Sequence, residues 1–116
     1  MNSVMPLRRK PPVADEFVIE LKKPVTMSNG KGDDTIYERI ELCEPETGMV
    51  TQFQKRGQRE TTIDAMKFLI SIVSGVPMPV LDKVLWSDFY RAMDYMSRWV
   101  DQADEDDPLG NAEGSR

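Results

Sequence analysis

The hydrophobic positions of this chain change period part-way along. From Glu16 to Met27 they alternate, with Phe17, Ile19 and Leu21 on one side and Glu16, Val18, Glu20 and Lys22 on the other. From Thr35 to Cys43 they alternate again, Ile36, Glu38, Ile40 and Leu42 opposing Tyr37, Arg39 and Glu41. Period two marks a half-buried strand. Between the two runs, Ser28-Asn29-Gly30-Lys31-Gly32-Asp33-Asp34 reads as a long polar hairpin loop carrying the Asn-Gly turn signal. Pro24 has no N–H for a ladder, so the first strand lies on an edge or ends near it. Two strands alone are marginal in water. The hairpin must therefore lay its apolar face on the rest of the chain.

Beyond Cys43 the period becomes helical. Glu44-Pro45-Glu46-Thr47 reads as a helix start, with Met49, Val50 and Phe53 as a narrow stripe and Lys55, Arg56 and Gly57 as the stop. A second helix is expected over Ile63–Val76, capped by Thr61 or Thr62 and closed near Gly75 by Pro77 and Pro79. At about 100° per residue, Asp64, Lys67, Ser71 and Ser74 fall within an arc of about 80° and the apolar residues fill about 220°. An ordinary surface helix needs an apolar stripe of little more than about 100°. Each large side chain here is worth about 1.5–3 kcal/mol when buried, so this helix must be covered from two or three sides. Val80–Leu85 is one turn or a tight bend presenting Leu81, Val84 and Leu85. Ser87 then caps a last helix, with Asp88 placed to meet the helix dipole. Its apolar stripe is Phe89, Ala92, Met93, Met96, Trp99 and Val100, flanked by Tyr90 and Tyr95. The fold class is α+β: an N-terminal antiparallel hairpin followed by three main helices, short, central apolar and C-terminal amphipathic.

Composition narrows the function. The 116 residues carry a net charge of −5, one cysteine and no histidine. One cysteine excludes disulfide stapling within the chain and fits a reducing compartment. Without histidine, the commonest general base and metal ligand is missing. No run is long and apolar enough for a membrane span, and nothing after the basic N-terminus resembles a secretory core. The expected organisation is a disordered basic lead-in over 1–14, one domain over 15–101 and a disordered acidic tail over 102–116. Arg8, Arg9 and Lys10 form the only basic cluster, which an acidic chain makes a poor nucleic-acid footprint. The Gly-rich loop around Lys31 lacks the Walker pattern. The acids at 104–107 lack calcium-loop spacing. No catalytic, metal or cofactor-binding constellation is present, so no enzyme is expected. The eight methionines are a further signal. Methionine fills small cores and also suits surfaces that adapt to partners.

The order of these motifs resembles the E-type and Mu-like prophage tail assembly chaperones of contractile-tailed bacteriophages. The residues that carry the resemblance are the first strand's Leu21–Val25, the strand exit Leu42–Pro45, the apolar helix closing on Gly75–Pro77, and the last helix opened by Leu85 and Asp88. The match runs over roughly residues 16–100. The Met27–Asp34 loop, the Leu42-Cys43-Glu44-Pro45 exit and the acidic tail depart from the family's pattern. The resemblance implies a non-catalytic protein of the host bacterial cytoplasm, absent from the mature virion, that coats the tape-measure protein before tail-tube polymerisation. It further implies a longer frameshifted form of the same chain that recruits tail tube protein, and a homo-oligomer. Met66, Leu69, Ile70, Met93, Met96 and Trp99 are the residues expected to line or border the partner surface. Two other classes stay open: a self-associating structural protein, and a small regulator using the basic arm.

Overall fold

The computed structural model describes the backbone of residues 12–105 and the side chains of residues 12–101. The expected basic arm before residue 12 and acidic tail beyond 105 lie outside the described residues. The order is β1 (Glu16–Ser28), β2 (Asp34–Cys43), α1 (Thr47–Gly57), α2 (Thr62–Ser74), α3 (Met78–Leu81) and α4 (Trp86–Glu105). It is the α+β arrangement of an antiparallel hairpin followed by helices.

The hairpin is less regular than its alternation predicts. Glu16 to Glu20 pair with Cys43 to Arg39, and Val25 to Ser28 pair with Tyr37 to Asp34. Leu21 to Pro24 therefore stand opposite the single residue Glu38, a bulge centred where the ladder meets a residue without an N–H. Apart from the exposed Lys23 within the bulge, the odd-numbered residues of β1 stay on the core side, but the core-facing parity of β2 changes over. Ile40 and Leu42 are buried beside Ile19, whereas beyond the bulge Tyr37, opposite Val25, packs against the core. Ile36, expected on the apolar face, is 59% exposed. The inserted residues have reversed its side.

Around α2 the expected cover is present. Ala65, Met66, Leu69 and Ile70 are buried, joined in one core by Ile19, Leu21, Val25, Ile40 and Leu42 from the hairpin, Val80 and Leu81 from α3, and Phe89, Ala92 and Met96 from α4. Thr61 caps α2, its side chain accepting from Asp64 N at 3.1 Å. Gly75, at φ 80°, closes the helix by donating to Ser71 O, a left-handed conformation that suits glycine. On the far flank α1 buries no residue fully. It lays Met49 and Phe53 against the core and stacks the Arg56 guanidinium 3.8 Å from the centre of the Phe68 ring.

The last helix starts one residue before the expected cap. Trp86 is its first residue, and Ser87 lies inside its first turn. Asp88 is wholly buried, and serves as more than a charge at the dipole. Its Oδ2 accepts from Lys22 N at 2.8 Å, while Lys22 Nζ donates to Ser87 Oγ at 2.8 Å. Two neighbouring residues at the head of α4 thus hold both nitrogens of one bulge residue. Tyr95, expected at the margin of the stripe, is buried, stacks on Phe17 with ring centres 5.0 Å apart and donates its hydroxyl to Ala14 O. That bond and the buried Val13 bring the residues just before β1 into the packing.

Candidate docking surface

The residues expected to face a partner separate into two groups. Met66, Leu69, Ile70 and Met96 are all buried in the shared core of this monomer. Met93 and Trp99 are partly buried at its margin. The indole nitrogen of Trp99 is buried without a hydrogen-bond partner among the described residues.

Of the large apolar residues exposed among the described residues, Val18 and Ile36 lie on the hairpin, and Ile63, Leu85, Trp86 and Tyr90 lie on the flank of that core. Trp86, Tyr90 and Met93 succeed one another at i, i+4 and i+7, within about 60° of helix surface at 100° per residue. Trp86 is 56% and Tyr90 54% exposed. The Trp86 ring lies 6.0 Å from both Phe89 and Tyr90, tilted against each. Across from it is Ile63, 44% exposed in the first turn of α2. A groove of about 280 Å³ joins them, floored by Leu81, Val84 and Phe89 and walled by Ile63 and Trp86. Exposed Leu85 extends the apolar area beside Trp86.

One end of this groove is polar. Lys67 Nζ donates to Asp82 Oδ1 at 2.6 Å and stands 3.7 Å from Asp64 Oδ1. The hydrogen bond to Asp82 is the main cause that raises the Lys67 pKa above its ordinary 10.5; burial opposes it and the two carboxylates' charges add to it. The ion pair spans from α2 to the residue that caps the end of α3, so it ties the α2 side of the groove to α3.

Sequence reasoning missed Trp86, Tyr90 and Ile63. Placing the cap at Ser87 left Trp86 outside the helix, so its spacing to Tyr90 and Met93 could not register as a second apolar line. With the helix begun one residue earlier, that spacing shows it. Ile63 was counted among residues needing cover, and it is one that the fold leaves uncovered.

The chemistry of the surface is that of contact. Among the described residues no three His, Cys, Asp or Glu side chains cluster as metal ligands. Cys43 is exposed at the end of β2. A sequence model of the family described as phage tail assembly chaperone proteins, E, or 41 or 14, matches residues 18–101. The chain belongs to the phage tail assembly chaperone family. The match runs from within β1 into α4, and takes in every residue of the groove and of the Lys22–Asp88 contact in this chaperone. No curated protein and no solved structure matches the chain. None of the chaperone's described helices is long and apolar enough to cross a membrane.

Proposed function

We propose that this chaperone acts without catalysis, holding the tape-measure protein soluble in the host bacterial cytoplasm until the tail tube polymerises, and then leaves the assembling particle. The observation that carries the reading is the groove between Ile63 and Trp86. It is an apolar channel on the surface of a small acidic domain, with Trp86 as an aromatic wall, Phe89 in its floor and a polar end. Aromatic anchors in an apolar groove suit the apolar face of an amphipathic helix, and a tape-measure protein is a long, largely helical and apolar chain. The net charge of −5 keeps the complex soluble once the apolar surface is covered. A longer, frameshifted form of the chain would bring tail tube protein to the same complex.

In this reading Met93 borders the docking surface through its place beside Trp86 and Tyr90. The buried Met66, Leu69, Ile70 and Met96 support it from beneath, and Trp99 lies at the margin of the core. That division selects the experiment. Met96→Asp would place a charge in a wholly buried position and unfold the domain, so it says nothing of docking. Trp86→Asp and Tyr90→Asp change side chains that are more than half exposed. Co-expressed with the cognate tape-measure protein, the wild-type chaperone should keep that protein in the soluble fraction. Either variant, still folded by circular dichroism, should lower the soluble yield about tenfold, the loss of one hot-spot side chain. Equal solubility with the variants would contradict the docking site.

A further inference from the structure

The hairpin is a two-stranded sheet, so each strand has one edge without a strand partner among the described residues. The two edges are not equivalent. On β1 the ladder is broken by the Leu21–Pro24 bulge, which carries Lys22, Lys23 and Pro24. Lysine, proline and a bulge are the devices that stop an edge from recruiting another strand. The Lys22 N–H is moreover already donated to Asp88. Strand β2 has neither lysine nor proline, and its charged residues, Asp34, Glu38, Arg39 and Glu41, are of both signs. Its ten residues, Asp34–Cys43, contain no proline, glycine or lysine and are rich in residues that favour strands. A groove of about 260 Å³ runs beside Ile36–Arg39 and Glu41, with the turn at Ser74–Val76 on its other side.

We propose that β2 pairs along this edge with β2 of a second copy, antiparallel about Ile40, joining two hairpins into one four-stranded sheet. Charge selects both the occupant and the register. With the helices of both copies on one face, residues of like parity stand opposite, and Arg39 and Glu41 occupy the outer face. Centring on Ile40 sets Arg39 of each copy against Glu41 of the other. Centring on Glu38, Arg39 or Glu41 would set like charges directly opposite, which is destabilising, and centring on Tyr37 or Leu42 would form no pair of opposite charges. Arg39, already 3.3 Å from Glu20 of its own chain, would then bridge two carboxylates across the new seam. Four strands also remove the weakness of an isolated two-stranded hairpin. This pairing leaves the Trp86 groove free and does not rest on what docks there.

The test is the sedimentation of the full chain over a range of concentrations, together with amide hydrogen exchange. A monomer–dimer equilibrium should appear, with β2 amides better protected as concentration rises. Arg39→Glu and Glu41→Arg each place like charges opposite twice, and each should weaken the dimer about tenfold. The triple exchange of Arg39→Glu, Glu41→Arg and Glu20→Arg keeps an opposite charge across from position 39 in both strands and should restore it. All three sites are exposed, and Glu41→Arg leaves the Arg39–Glu20 pair intact. A monomer at every concentration would overturn the proposal, as would a dimer indifferent to the single changes or unrescued by the triple one. Protection of β2 only on adding another tail protein would also overturn it, and would assign the edge to that partner.

Discussion

Lys67 shows how little of a polar contact's value is visible in a charge pattern. In the sequence it is one of four polar residues on a narrow arc; in the fold its ammonium joins Asp64 to Asp82 at the end of the groove. Both carboxylates are more than half exposed, so solvent screening limits the pair to about 1 kcal/mol or less. The pKa shift sets its pH dependence. Lysine in the unfolded chain titrates near 10.5, and the folded value is raised, chiefly by the hydrogen bond to Asp82. The folded state thus holds the proton more tightly. Its stabilisation is complete below the unfolded value and disappears as pH rises through the folded one. Lys67→Met should therefore melt slightly below wild type at neutral pH, with the gap closing as alkali carries the pH through the raised folded value. A gap that widens in alkali would contradict the assigned pairing.

At the scale of elements, the Lys22–Asp88 contact decides how hairpin and helices dock. Period-two alternation located both strands, the helical period located α1, α2 and α4, and Thr61 and Gly75 marked the ends of α2 as expected. What alternation could not show was the bulge. Pro24 signalled a break in the ladder, yet not that Leu21–Pro24 would oppose one residue and turn Ile36 outward. Nor could local sequence show that Asp88 would be buried. Its position at a helix start accounts for a carboxylate without any partner 66 positions away in the chain. Asp88→Ala removes the acceptor of the Lys22 N–H and should cost about 1–3 kcal/mol. Asp88→Asn keeps a carbonyl oxygen there and should cost less. Chemical denaturation of the three proteins orders them; an alanine variant as stable as wild type would show that the contact holds nothing together.

For the whole molecule, the apolar excess of the central helix was legible, and its distribution was not. The fold covers α2 with hairpin, α1, α3 and α4, and so encloses Met66, Leu69 and Ile70. Beyond Val18 and Ile36 on the hairpin, the uncovered large apolar residues gather near the junction of α2 and α4, where Ile63, Trp86 and Tyr90 stay exposed. A pattern along one helix cannot reveal this, because exposure depends on which neighbour arrives at each face. The chain belongs to the phage tail assembly chaperone family, and the docking channel proposed at this junction is open to direct measurement. A photo-reactive side chain at position 86, in chaperone co-expressed with the cognate tape-measure protein, should form a covalent adduct with that protein. The same group at Val18, which is exposed but outside the groove, should form none. Adducts from position 18 and none from position 86 would contradict the account.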